Sequence, residues 1–221
     1  MNALFAAAAA LHPVRGGYAL AYGSHASRPR PASDLDLLFT GTRLLPGRAL
    51  ARLIDGVKQL HIDHGLPLDE EVGYASKLYA TEREIARAAR LDGFLGVSDY
   101  AAPVGDPDAL NAPAFKLRLV LNALTTPHVF LTGDIDLYRR QTADAERGCA
   151  LLALRIAAAR KTTLGQATDA LLSSPEGLTG KHFLGYRPGP HLYAVVRRGM
   201  AHLEREHLVA IDRDTITWRP T

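Results

Sequence analysis

The sequence predicts an α/β domain over residues 1–105, followed by a mainly α-helical domain over residues 106–221. In the first half, short apolar segments bounded by Gly, Pro or Ser alternate with segments of helical periodicity, whereas the second half is helical over most of its length. Between the halves, residues 100–113 hold three prolines, a glycine and two aspartates without periodicity. We therefore place the domain boundary near residue 105.

Composition narrows the class of protein. The apolar fraction of 47% over 221 residues is ample for a packed core, and no run of about 18 uncharged apolar residues predicts a membrane span. The single cysteine, Cys149, excludes an internal disulfide, so we predict a cytoplasmic protein. The net charge of +3 suits an anionic ligand without requiring nucleic acid.

The first half yields the elements of the α/β domain. Residues 4–11 are apolar but lack the basic flank of a signal peptide, so an alanine-rich helix capped by Asn2 is preferred. Thr81 and Glu84 stand at the spacing of a capping box. The further elements predicted here are strands over residues 18–22 and 35–39, a helix over 46–64, a third strand beginning near Leu66, and a helix over 81–93.

The second half is predicted to be helical with one exception at its end. Asp134 and Asp136 stand at the start of the second of its helices, where a capping residue and an acidic residue in the first turn are typical. We therefore interpret this pair as stabilising the helix and not as a metal site. The predicted helices cover residues 115–124, 134–161, 164–172 and 191–207, and residues 208–218 form a hairpin turning at 212–214. A helix followed by a hairpin is found at the end of winged-helix modules, which bind nucleic acid, and more often merely closes a helical subdomain.

The chemistry-bearing segment lies between the first two predicted strands. Asp34 and Asp36 stand two apart on a predicted strand, so both carboxylates project from one face, where they repel each other unless a cation is bound. Hard carboxylate oxygens are what Mg²⁺ takes, together with triphosphate oxygens. Upstream, Gly23 permits close approach of a ligand to the backbone, and Ser24 and the amides after it can form a nest for phosphates. The segment therefore predicts a Mg²⁺–nucleotide site.

These residues resemble the DNA polymerase β nucleotidyltransferase superfamily, in its small-molecule branch that includes the aminoglycoside nucleotidyltransferases. Its signature is an apolar residue before Gly-Ser, a spacer, and Asp-x-Asp in a strand; here nine residues separate Gly23-Ser24 from Asp34-Leu35-Asp36. The detailed resemblance covers residues 20–72. It implies an N-terminal nucleotidyltransferase domain with a mixed sheet and flanking helices, and a mainly α-helical acceptor-binding domain after it.

The superfamily uses a third carboxylate on a neighbouring strand, and the run from Asp69 to Glu71 offers the candidates. Asp69 is our choice for the third metal ligand and for help in deprotonating the acceptor. Glu71 lies on the same strand face by the period of two and stays open as a catalytic alternative, whereas Glu70 points away.

Further cations are candidates for contact with the triphosphate. Many small-molecule members carry Arg-Gly soon after Gly-Ser, whereas this chain has Arg28 and Arg30, each followed by proline. We expect Arg28 or Arg30 to contact phosphate. Lys77 either contacts phosphate as well or is simply a solvent-exposed lysine. The departure from Arg-Gly leaves the preferred nucleotide open.

The implied reaction is Mg²⁺-dependent transfer of a nucleoside monophosphate from a nucleoside triphosphate to a hydroxyl of a small molecule, with pyrophosphate released. The alternatives are transfer to RNA or to a protein side chain, or a regulator without enzymatic activity that retains the fold and binds nucleic acid. Nucleic acid is possible as a partner but not favoured, and no membrane is expected. Intact Gly23, Ser24, Asp34 and Asp36 argue against a dead site.

Overall fold

The computed structural model describes residues 2–13, 15–27, 33–68, 78–90, 113–173 and 190–219. Its helices are α1 (Ala3–Ala10), α2 (Ser24–Ser27), α3 (Gly47–Asp63), α4 (Glu82–Arg90), α5 (Pro113–Thr125), α6 (Ile135–Ala157), α7 (Leu164–Ser173) and α8 (Pro190–Arg205). Its strands are β1 (Tyr18–Tyr22), β2 (Asp36–Gly41), β3 (Tyr79–Thr81), β4 (His128–Gly133), β5 (Lys161–Thr163), β6 (Val209–Asp212) and β7 (Thr215–Trp218). None of the described helices is both long and apolar enough to cross a bilayer.

The larger sheet is mixed and has the strand order β3-β2-β1-β4. Strand β1 is antiparallel to both β2 and β4, while β2 and β3 are parallel. The expectation of a mixed sheet with flanking helices, followed by a largely helical part, is thus met at the level of architecture. The fourth strand, however, comes from residues 128–133, a stretch for which only helices had been predicted on either side.

Both faces of this sheet are covered. On one face, Leu35, Leu37 and Phe39 of the β2 segment pack with buried residues of α1 and α3. On the other, Tyr18, Leu20 and Leu38 join a core that continues through α4, α5 and α6 to α8 and the terminal hairpin. A single apolar core therefore connects the sheet with the C-terminal elements, across the position where the sequence predicted a boundary.

Capping residues recognised in the sequence correctly predicted where several helices begin. The Asn2 side chain accepts hydrogen bonds from the amides of Leu4 and Phe5, as predicted for a cap. Asp134 caps α6 in the same way. The capping box is confirmed, because the Glu84 carboxylate accepts from the Thr81 amide at 2.8 Å while Thr81 Oγ1 accepts from the Glu84 amide at 3.3 Å.

The third strand was predicted to begin near Leu66; residues 66–68 are not in a strand, and the rest of that predicted segment lies outside the described residues. The Leu66 amide donates to the His61 carbonyl at 2.8 Å to close the end of α3, and Gly65 adopts a φ of +63° there. Pro67 has no amide hydrogen, and its carbonyl bonds His61 Nδ1. Among the described residues, the strand that pairs with β2 on this side is β3, at Tyr79–Thr81.

The C-terminal elements form a second, smaller unit. A three-stranded antiparallel sheet has the order β5-β7-β6, in which Lys161 pairs with Thr217 and Val209 with Trp218. The predicted hairpin is confirmed, and the structure adds β5 to it. Between the strands, α7 directly follows β5, and α8 leads into β6.

Candidate functional site

The turn after β1 brings the two halves of the sequence motif together. Tyr22, the last residue of β1, lies opposite Asp36, the first residue of β2. Gly23 follows with a φ of +74°, and a Cβ placed on it would collide with the Asp36 carboxylate. Only glycine combines this left-handed backbone with such close approach, so the Gly23 backbone and the Asp36 side chain form one surface.

Side-chain hydrogen bonds hold the loop between Gly23 and Asp36 at both ends. Ser24 Oγ donates to Ser33 Oγ at 2.8 Å, and His25 Nε2 lies 2.8 Å from the Ser33 carbonyl. Because a carbonyl only accepts, His25 Nε2 carries the hydrogen. The Ser27 amide returns to the Gly23 carbonyl at 3.2 Å. Ser33, and with it Asp34, is thereby drawn next to Ser24, where the sequence motif predicted a common site.

The two aspartates occupy different backbone environments. Asp36 is the first residue of β2, whereas Asp34 precedes the strand, so the predicted strand start at residue 35 is one residue early. Leu35 and Leu37 are buried in the core shared with α1 and α3, while Asp36 lies on the opposite face with Leu38. Both aspartates are half-buried. Both residues thus stand at the margin of the apolar core.

The remaining predicted site residues lie outside the described residues: Asp69, Glu71, Lys77, Arg28 and Arg30. What the structure does describe is the edge of the sheet where Asp36 stands. Since β2 and β3 are parallel, the chain enters β3 at the same edge at which it enters β2. Of the predicted constellation, the structure therefore assembles Gly23, Ser24, Asp34 and Asp36.

A histidine and a tyrosine that the sequence did not single out lie beside this constellation. The strand register places His128 opposite Tyr22, and Tyr22 opposite Asp36. Directly opposed residues of antiparallel strands share a face, so His128 and Asp36 project to the same side, about 10 Å apart between Cα atoms. The signal in the sequence was the short apolar run from Val129 to Leu131, but its pairing with β1 spans more than a hundred residues.

Hydrogen bonds determine the state of the His128 ring. Nδ1 lies 2.7 Å from the Thr126 carbonyl and donates to it, which leaves Nε2 to accept from the Tyr138 hydroxyl, also at 2.7 Å. Burial lowers the pKa of His128, although the bond to Thr126 acts in the opposite sense. The ring is therefore held in one tautomer, and burial favours its neutral form.

Tyr138 connects this end of the sheet to α6. Its ring makes edge or tilted contacts with the rings of Tyr18, His128 and Phe130 at centroid distances of 5.1–5.6 Å. The Tyr18 hydroxyl in turn donates to Gln141 Oε1 at 2.7 Å. This aromatic cluster fixes β4 and the start of α6 against the face that carries Asp36.

The oxygen-only donor set of Asp34 and Asp36 fits Mg²⁺ in kind. The contact between Gly23 and the Asp36 carboxylate leaves no side chain between the backbone and this carboxylate, which suits a ligand that touches both. Within the described ranges, no group of three or more His, Cys, Asp or Glu residues is close enough to hold a metal by itself. A complete site accordingly needs a further donor, from the third acid or from the bound nucleotide.

Comparison of the chain with protein-family models, with curated proteins and with solved structures found no match.

Proposed function

We propose that the protein transfers a nucleoside monophosphate from a nucleoside triphosphate to a hydroxyl group of a small molecule, in a Mg²⁺-dependent reaction. The observation that carries the proposal is the contact between the Gly23 backbone and the Asp36 carboxylate at the junction of β1 and β2. Such a contact brings backbone amides, which can bind phosphate oxygens, close to a carboxylate that can bind a metal.

In the proposed reaction the acceptor oxygen attacks the α-phosphorus in line with the leaving pyrophosphate. A phosphorus–oxygen bond to the acceptor forms, the bond to the β-phosphate oxygen breaks, and the acceptor proton passes to a carboxylate. Asp34 and Asp36 would hold Mg²⁺, which when bound neutralises the charge of the triphosphate. Asp69, or Glu71 in its place, would complete the metal site and take the proton.

The remaining residues position these groups. Ser24 and Ser33 bond each other and close the loop on which Asp34 lies. Gly23 lets the backbone lie close to the Asp36 carboxylate. Burial lowers the pKa of His128 and so favours the neutral ring on the sheet face that also carries Asp36. Arg28, Arg30 and Lys77 are the proposed phosphate contacts.

The proposal is tested by incubating the protein with Mg²⁺, each α-labelled nucleoside triphosphate and a panel of hydroxylated small molecules. The chain offers a matched control, because Asp134 and Asp136 repeat the Asp-x-Asp spacing as a helix cap. We expect transfer by the wild type and by the double variant Asp134→Asn, Asp136→Asn, and none by Asp34→Asn, Asp36→Asn.

Two outcomes contradict the proposal. One is label transfer that the Asp34→Asn, Asp36→Asn variant retains. The other is transfer only to RNA or to a protein side chain when these are included as acceptors, which would keep the chemistry but overturn the small-molecule acceptor.

A further inference from the structure

The C-terminal unit has the topology of a winged helix. In chain order it runs α6, β5, α7, α8, β6, β7, and β5 adds to the hairpin beside β7 and not beside β6. The pairing of Thr162 with Ile216, and of Ile216 with Ile211, aligns all three strands. The sequence had suggested only a helix followed by a hairpin. The structure adds strand β5 and helix α7, which complete the set of elements of a winged helix.

One face of α8 is buried, and its other face carries exposed residues. Leu192, Val196 and Leu203 are fully buried, and a Cβ on Gly199 would collide with the Glu146 carbonyl of α6. Tyr193, Arg197 and Ala201, spaced one turn apart, face outward, with Tyr193 42% exposed. The helix is therefore anchored by α6 and presents a polar, aromatic edge.

The terminal hairpin supplies a second basic residue to the same edge. Its turn places Arg213, at a φ of +53°, beside α8. A cleft of about 420 Å³ lies between helix and hairpin; it is lined by Tyr193, Arg197, Arg213 and Asp214, above a floor that includes Met200 and Ile216. Two guanidinium groups thus flank one cleft.

The charge of the surface favours a polyanion. From Pro190 to Leu203, α8 contains no acidic residue; the first is Glu204, in its last turn. Asp212, the last residue of β6, and Asp214, in the turn, flank Arg213 in the sequence. The basic side chains without an adjacent acid therefore lie along the helix and not on the hairpin.

The shape of the surface favours duplex DNA. An α-helix with its side chains is about 10–12 Å across and fits the major groove of B-form DNA, whereas the major groove of duplex RNA is too narrow to admit side chains. Arg197 and Tyr193 lie in the amino-terminal half of α8, the part of a recognition helix that reaches base edges. Ala201, the small third member of the stripe, allows close approach.

We propose that α8 and the β6–β7 turn form a docking surface for the backbone and major groove of duplex DNA, with Arg197 and Arg213 contacting phosphates and Tyr193 the groove. Residues 174–189, between α7 and α8, lie outside the described residues. The inference therefore depends on α8 and the hairpin. It shares no residue with the nucleotide site, so the two proposals fail independently.

The test is fluorescence anisotropy of a labelled random-sequence DNA duplex, about two helical turns long, titrated with the full chain at about 50 mM and about 200 mM salt. The variant Arg197→Glu, Arg213→Glu is compared with Arg83→Glu, Arg87→Glu, which reverses two exposed arginines on α4. Circular dichroism melts confirm that both variants are folded.

We expect salt-sensitive binding by the wild type and the α4 variant, and a loss of roughly tenfold or more in the Arg197, Arg213 variant at low salt. The inference is overturned if no duplex binding occurs at low salt, or if both variants weaken binding equally. It is also overturned if duplex RNA or single strands bind more tightly than duplex DNA, or if the Arg197, Arg213 variant binds as the wild type does.

Discussion

At the scale of single residues, Gly23 is the position where backbone conformation and the candidate chemistry coincide. Its φ of +74° and its contact with the Asp36 carboxylate are separable, because Gly65 has a similar φ of +63° but open space around its Cα. An alanine at either position incurs the cost of left-handed backbone, about 1 kcal/mol of unfolding free energy. Only at Gly23 does the new methyl group also displace the carboxylate.

The first prediction concerns these two glycines. Gly23→Ala and Gly65→Ala are both expected to lower the unfolding free energy by about 1 kcal/mol or slightly more, measured in urea. Gly23→Ala alone is expected to abolish Mg²⁺-dependent nucleotide binding. Equal nucleotide binding by Gly23→Ala and Gly65→Ala would show that the contact with Asp36 has no functional role.

The second prediction concerns pH. The pKa of His128 is held below its ordinary value of 6.5 mainly by burial, so the unfolded chain binds the proton more tightly. The stability that depends on neutral His128 is fully present above about pH 6.5 and is lost as the pH falls toward the lower pKa of the folded state. Unfolding free energies measured between about pH 7 and about pH 5 should therefore fall less steeply in His128→Gln than in the wild type.

Tyr138→Phe provides the control for this pH effect. It removes the hydroxyl that donates to His128 Nε2 but keeps the ring contacts, at a cost of about 1 kcal/mol. Since the histidine stays buried, the pH dependence should persist in Tyr138→Phe. An identical pH profile in the wild type and His128→Gln would contradict the assignment.

At the scale of elements, Glu84 joins two helices at the start of α4. Its carboxylate accepts from the Thr81 amide and hydroxyl through one oxygen and from Lys116 Nζ of α5, at 2.7 Å, through the other. Burial raises the pKa of Glu84, but the hydrogen bonds from Lys116 and Thr81 outweigh it, and the net pKa is lowered. This contribution to stability is present above the ordinary pKa and is lost as the pH falls through the folded value.

The third prediction compares Glu84 with an exposed ion pair. Glu84→Ala removes the capping box and the bridge to α5, and should cost about 2 kcal/mol at neutral pH. Asp136 and Arg139 form an exposed pair at 3.8 Å, so Arg139→Ala should change stability by less than about 0.5 kcal/mol. Chemical denaturation measures both free energies of unfolding. Comparable losses in the two variants would contradict the stabilising role of the capping box and of the bridge to α5.

The fourth prediction concerns the contact between α6 and α8. Because a Cβ on Gly199 would collide with the Glu146 carbonyl and the Ala150 side chain, Gly199→Ala should destabilise the protein by about 1–3 kcal/mol. Gly165 in α7 has nearly open surroundings, so Gly165→Ala should instead stabilise it slightly, by up to about 1 kcal/mol. A thermal melt in which Gly199→Ala matches the wild type would show that the helices separate easily.

The elements also show which features the sequence could predict. Caps at Asn2, Thr81 and Asp134 depend on side chains within three residues of the amides they bind, so spacing alone locates them. The place of β4 depends on pairing between His128 and Tyr22, far apart in the chain, and no local pattern carries that information. Residues 65–67, where the predicted third strand was to begin, instead close the end of α3, through the Leu66 amide and the Pro67 carbonyl.

At the scale of the whole molecule, one core connects the sheet with the C-terminal unit, and the domain boundary predicted near residue 105 lies outside the described residues. The donor side of the candidate site is formed at the junction of β1 and β2, whereas His128 and Tyr138 come from the second half of the chain. The Gly-Ser and Asp-x-Asp motif was visible in the sequence because it is local. The neighbours that complete its surroundings became visible only through the register of the sheet.

The central claim is that Gly23, Asp34 and Asp36 form a Mg²⁺–nucleoside triphosphate site. Isothermal titration of each nucleoside triphosphate, with and without Mg²⁺, tests it without knowledge of the acceptor. We predict Mg²⁺-dependent binding of at least one triphosphate by the wild type and by Asp134→Asn, Asp136→Asn, and its loss in Asp34→Asn, Asp36→Asn. Absence of Mg²⁺-dependent binding in the wild type, or equal binding by all three proteins, would contradict the claim.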